Sequence, residues 1–113
     1  VREDNVERLR TTLVVQGANI PFTPGAEMAL HDRGVLVIPD FIANAGGVIC
    51  AAMEYRGATE SQAFLAIEEK IRANVEAVLN EATGKHVLPR HAAVGLALVR
   101  VKEAMSYRRF NLM

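Results

Sequence analysis

One cysteine, Cys50, is all that the 113 residues contain, which excludes an internal disulfide and fits a reducing, cytoplasmic setting. Neither sign of charge is in excess. Thirteen Lys and Arg balance thirteen Asp and Glu at a pI near 7.0, so electrostatics gives no argument for nucleic acid or an anionic membrane surface. No apolar run approaches the roughly 20 residues needed to span a bilayer, and no secretory signal pattern opens the chain. Internal repeats and low-complexity linkers are missing too. His31, His86 and His91 show no metal-ligand spacing with a carboxylate or the cysteine, so no metal is assigned. What is there is half apolar, enough for one compact domain with a modest core. Residue 1 is Val, and "VREDNVERLR" reads as a helix already under way, the expectation for a piece of a longer protein.

The apolar runs set the fold class. "TTLVVQGAN" (11–19) holds a short β-branched run ending at glycine, the pattern of a strand buried on both faces. Thr23 is placed to cap a helix with Pro24 at its first position, and Gly34 to close it after Arg33. "VLVIPDF" (35–41) is a second buried run. Strand, short helix, strand is a βαβ unit with parallel strands, so the class is α/β. From there the pattern is helical. One helix is predicted from Asn44 to Tyr55. Another starts at Thr59 with a capping box to Gln62, carries Phe64, Ile67, Ile71, Val75, Val78 and Ala82 as a stripe, and ends at Gly84. A last helix runs from about Pro89 to Arg109, with Ala93, Ala97, Val101 and Ala104 suggesting close packing. Two parallel strands are too few for a sheet that needs helices on both sides. The predicted architecture is the C-terminal part of a doubly wound Rossmann-like nucleotide-binding domain over residues 1–57, followed by a helical tail over 58–113.

In doubly wound folds ligands sit outside the carboxyl ends of the strands. Both unusual segments, "QGAN" and "FIANAGGV", fall there. Glycine weakens a helix by roughly 1 kcal/mol relative to alanine, so two in succession ask for something close to the backbone. Asn44, Val48 and Ala51 follow i, i+4, i+7 spacing and share one helical face, with an amide that matches a carboxamide and an apolar wall behind it. A second account stands beside this one: Gly46 and Gly47 allow tight helix packing and Asn44 is a plain N-cap. Cys50, mid-helix with no neighbouring His, reads as an inert buried thiol.

"VVQGANIPFTPGAEMALHDRGVLVIPDFIANAGGVICAAMEY" resembles the C-terminal domain of the glutamate, leucine, phenylalanine and valine dehydrogenases. Segments of the types "GAN-x-P-x-TP-x-A" and "VPD-x-x-ANAGGV" are both present, the second with Ile38 at its first position. The likeness covers residues 5–56, and "HAAVGLALVRVKEA" resembles the family's last helix more loosely. The resemblance implies NAD- or NADP-dependent oxidative deamination: hydride leaves the α-carbon of an L-amino acid, and water hydrolyses the imine to a 2-oxo acid and ammonia. It implies cofactor contacts at Gly17, Ala18, Asn19 and Asn44, and substrate contacts at Asn44, Val48 and Ala51. It also implies a homo-oligomer whose partner is a small-molecule substrate.

Three features depart from the family pattern. Ala51 stands where glutamate-specific members typically carry a serine, which leaves aliphatic substrates open. Gln16 stands where glutamate is common, so a role for that charge is lost. The family's catalytic lysine and aspartate and its pyrophosphate-binding glycines lie upstream, so no catalytic residue is assigned in these 113 residues. Three readings follow: a dehydrogenase fragment, inactive alone; a non-catalytic nucleotide-binding or regulatory module derived from that domain; and a structural helical domain.

Overall fold

The computed structural model describes residues 1–111. Strand β1 (Leu13–Val15) pairs in parallel with β2 (Leu36–Ile38), in the register Leu13 to Leu36, Val14 to Val37 and Val15 to Ile38. Helix α1 (Pro24–Asp32) is the crossover. Its start follows the predicted chemistry: Thr23 Oγ1 accepts the Ala26 N–H at 3.2 Å, and Pro24 occupies the first turn, where its missing donor costs nothing. Gly34, at φ +80°, turns the chain back into β2.

The expected N-terminal helix is a single 3₁₀ turn, Val6–Arg8. Asn5 Oδ1 accepts the Arg2 N–H, a local bond that competes with helix. The Arg33 guanidinium donates to the carbonyls of Val6 and Leu9 and fixes the turn against α1. Val6 joins Ala26, Leu30, Val35 and Val37 in one core beneath the sheet.

Strand β1 is not buried on both faces, but β2 has a buried residue on each, Val37 and Ile38, with Leu36 left exposed. Val14 and Val37 face that core, whereas Leu13 and Val15 on the other face of β1 are 50% and 59% exposed. Alternation along a strand sends neighbours to opposite faces, and α1 covers only one of them.

Beyond β2 the single helix predicted from Asn44 is two. Helix α2 (Asp40–Ala43) ends at Asn44, and α3 (Gly46–Tyr55) starts afresh after Ala45, which offers no side-chain cap. Gly46 and Gly47 are weak helix formers and do not carry α2 forward. Helix α4 (Glu60–Lys85) begins with the predicted capping box between Thr59 and Gln62. It runs through Gly84 and stops at His86, which adopts the left-handed conformation at φ 54°. Helix α5 (Pro89–Asn111) folds back on α4, and Val78, Ala82, Ala92 and Ala93 form a second core there with Ile42 of α2 against it. Of the small residues expected to pack closely on α5, only Ala93 is buried; Ala97, Val101 and Ala104 are exposed. Among the described residues no helix is long and apolar enough to cross a membrane.

Candidate functional site

Two loops leave the carboxyl ends of the strands. The first, Gln16 to Pro21, follows β1; the second begins at Pro39 and passes through α2 to Asn44. Asn44 Nδ2 donates to Asn19 Oδ1 at 2.9 Å, so the two predicted asparagines meet across residues 25 positions apart. That bond uses one donor of Asn44 and the acceptor of Asn19. Asn44 Oδ1 and Asn19 Nδ2 make no hydrogen bond among the described residues, which leaves the pair one acceptor and one donor, the kinds of group a primary carboxamide pairs with.

Gly17 and Ala18 are exposed beside Asn19, and a Cβ built on Gly17 would meet nothing within 4 Å. The two glycines of α3 differ. A Cβ on Gly46 would sit 3.6 Å from Ile67 Cγ2 of α4, an ordinary packing distance, while Gly47 faces open space. Close packing therefore does not require either glycine, and Gly47 leaves the backbone open to an incoming group. Val48 is 76% exposed, and Ala51 is exposed on the same helix. The common face predicted for Asn44, Val48 and Ala51 holds only for the last two, because Asn44 belongs to the end of α2. Asn44 is not an N-cap either; Ala45 holds that position in α3.

Beneath the amide pair lies a cluster that the sequence reading missed. Gln16, Glu27 and Asp40 are buried polar side chains, at 2%, 6% and 6% exposure. Arg90, from the first turn of α5, reaches all three. Its Nε donates to Glu27 Oε1 at 2.9 Å and Oε2 at 3.1 Å, and its Nη2 donates to Asp40 Oδ1 at 3.0 Å and Gln16 Oε1 at 2.9 Å. Gln16 also donates through Nε2 to Glu27 Oε2 and accepts the Asp40 N–H. An amide can donate to one carboxylate while accepting from the cation; a carboxylate at position 16 would set three acids around one guanidinium. The role of position 16 is thus recast, not lost. Among the described residues no buried side-chain nitrogen or oxygen lacks a partner.

Asp40 joins this cluster to the amide pair. Its Oδ2 accepts the Ile20 N–H at 2.8 Å and its Oδ1 the Phe41 N–H at 2.9 Å. Burial by itself raises the Asp40 carboxyl, but the two backbone N–H groups and the Arg90 guanidinium outweigh it and hold the group below the usual carboxylate range. Burial likewise works against the Arg90 cation, and Glu27 and Asp40 reverse the sign, so its pKa is raised. The guanidinium also lies 5.8 Å from the centre of the Phe41 ring. Ile20, next to Asn19, sits at φ 48°, a conformation that costs a β-branched residue about 1–3 kcal/mol. Signals for this cluster existed in the sequence: an acid ending an apolar run at Asp40, and an arginine in the first turn of a helix, where the dipole disfavours a cation.

Cys50 is half-buried, not buried, with Sγ 3.7 Å from Glu54 Oε1. Desolvation and the neighbouring carboxylate push its thiol up, away from a reactive thiolate. No group of three or more His, Cys, Asp and Glu gathers at metal-binding distance among the described residues.

Comparison with known proteins adds one family match, two sequence relatives and two structural neighbours. Residues 1–109 match the family model of glutamate/leucine/phenylalanine/valine dehydrogenase. The chain is 44% identical over 117 residues to the NADP(+)-dependent glutamate dehydrogenase of Pyrobaculum calidifontis, covering 96% of this chain and 27% of that protein. It is 37% identical to the NAD-specific glutamate dehydrogenase A of Halobacterium salinarum, covering 26% of it. The fold matches glutamate dehydrogenase from Peptoniphilus asaccharolyticus with a TM-score of 0.82 at 26% identity, over 95% of this chain and 29% of that one. It matches L-tryptophan dehydrogenase from Nostoc punctiforme with a TM-score of 0.80 at 25% identity, over 92% and 31%. The chain therefore spans under a third of the length of these relatives. Since the family model runs across both strand-end loops and both cores, the chain belongs to the glutamate/leucine/phenylalanine/valine dehydrogenase family.

Proposed function

We propose that this chain is the C-terminal part of an NAD(P)-dependent amino-acid dehydrogenase, catalysing oxidative deamination of an L-amino acid, and that it is inactive by itself. The observation that carries the reading is the Asn19–Asn44 amide pair, which joins the two loops at the carboxyl ends of parallel strands. Residues 1–57 are the end of a Rossmann-like domain and 58–113 its helical tail. NAD or NADP would accept hydride from the substrate α-carbon. Asn44 Oδ1 and Asn19 Nδ2 would hold the nicotinamide carboxamide, with Gly17 and Ala18 lining the cofactor side. Asn44 also borders the substrate, and Val48 and Ala51, both exposed on α3, wall its side chain. The open face of β1 and the exposed apolar helix faces support assembly into a homo-oligomer.

The test is reduction of NAD or NADP with a panel of L-amino acids. The longer protein that contains this chain should be active, and the 113-residue chain, prepared free of it, should not. Activity of the short chain overturns its status as an inactive piece. Inactivity of the longer protein with every amino acid overturns the dehydrogenase reading and favours a non-catalytic nucleotide-binding module.

A further inference from the structure

We infer that Arg90 is a positioning residue for the Asn19–Asn44 amide pair: from the helical tail it holds Asp40, and Asp40 holds the strained turn that presents Asn19. The inference rests on the strand-end reading above.

The chain of contacts is short. Arg90 Nη2 holds Asp40 Oδ1 at 3.0 Å, and Asp40 Oδ2 holds the Ile20 N–H at 2.8 Å. Ile20 directly follows Asn19 and sits at φ 48°, which a β-branched residue keeps only when its surroundings impose it. Its side chain is exposed, so packing does not impose it; the bond to Asp40 does. The same carboxylate takes the Phe41 N–H, and the Asp40 carbonyl takes the Asn44 N–H at 2.8 Å, so one residue fixes both loops. Asp40 stays ionised in its buried place through the Ile20 and Phe41 N–H groups together with Arg90, the one full positive charge beside it, and Arg90 occupies a first-turn position that the helix dipole disfavours. Without Arg90, Ile20 is free to relax to negative φ, and Asn19 leaves Asn44.

The variants R90M, R90K and D40N, built in the longer protein, test this beside V78A. Val78 lies in the α4–α5 core and its side chain has no polar atom to share with the cluster. Two readouts are taken: kcat and KM for L-glutamate with NADP and with NAD, and hydrogen exchange of segments 16–22 and 39–46 against 70–80. R90M should lower kcat/KM by up to about 100-fold, the cost a misplacement of about 1 Å can carry. Exchange should rise in 16–22 and 39–46 and stay unchanged in 70–80. R90K should fall between, since an ammonium lacks the planar fork that serves three side chains at once. V78A should lower the melting temperature with kcat/KM intact. If R90M does not fold, R90K and D40N decide: unaltered exchange at 16–22 in both overturns the inference. So does a loss of kcat/KM in R90M no greater than that of V78A. Faster exchange at 16–22 in a protein inactive from the outset supports the positioning and overturns only the dehydrogenase reading.

Discussion

The βαβ head and the helical tail have similar apolar content and use it differently. In the head Ala26 and Leu30 are fully buried, and every charged group under the strand ends has its partner. Past β2 less is buried: α3 has no buried residue, and on α5 of the tail every residue from Ala97 to Arg108 is exposed. Ile67, Ile71, Val75 and Leu79 line an open apolar hollow along α4. The radius of gyration, 16.6 Å, exceeds the roughly 13 Å of a compact chain this long. An amphipathic stripe states what a helix is suited to bury. What it does bury depends on which surfaces lie beside it, and in the tail those surfaces are few.

The largest effect should separate the two regions directly. Leu30→Ala opens a cavity in the head and should cost about 2–5 kcal/mol in urea unfolding. Leu98→Ser, on the exposed face of α5, should change monomer stability by no more than about 0.5 kcal/mol. It should also weaken self-association in sedimentation at micromolar concentration. Equal destabilisation by the two, or a monodisperse monomer before any substitution, breaks the comparison.

The same contrast shows what could be read from sequence. Local devices were legible because their parts are close in the chain: the Thr23 and Thr59 caps, Pro24 and the turn at Gly34. The meeting of "QGAN" and "FIANAGGV" was legible because parallel strands bring their carboxyl ends together. Helix ends with competing signals were less so. Gly84 was the obvious stop for α4, yet a helix tolerates one glycine, and His86 took the left-handed cap instead. The Arg90 cluster was hidden for another reason. Its members lie up to 74 positions apart, and no local pattern pairs a helix's first-turn arginine with acids on two other elements.

A second prediction sharpens the role given to the exposed face of α3. In the longer protein, Ala51→Ser adds a hydroxyl to the wall proposed for the substrate side chain. A hydrogen bond to a charged carboxylate is worth about 1.5–3 kcal/mol, roughly ten- to a hundredfold in kcat/KM. Preference should move toward glutamate and away from leucine and valine, for which an unpaired hydroxyl in an apolar wall is a cost. A uniform loss with all three substrates removes Ala51 from the pocket.

The smallest effect uses one capping device in both regions. Thr23 and Thr59 each accept an N–H at 3.2 Å from the third residue on, so replacing either by alanine removes the same bond, worth about 1 kcal/mol. What differs is the packing behind it. Helix α1 lies on the core of the head, where Ala26 and Leu30 are buried, so Thr23→Ala should lower the global unfolding free energy by nearly the whole amount. Helix α4 begins with Ala63 as its only buried residue before Val78, so its first turns can open while the rest stays folded. Thr59→Ala should speed hydrogen exchange at Gln62, Ala63 and Phe64 and leave the urea midpoint nearly unchanged. Midpoint shifts of equal size for the two variants would mean that head and tail unfold as one unit, and the difference between them would then lie in packing alone.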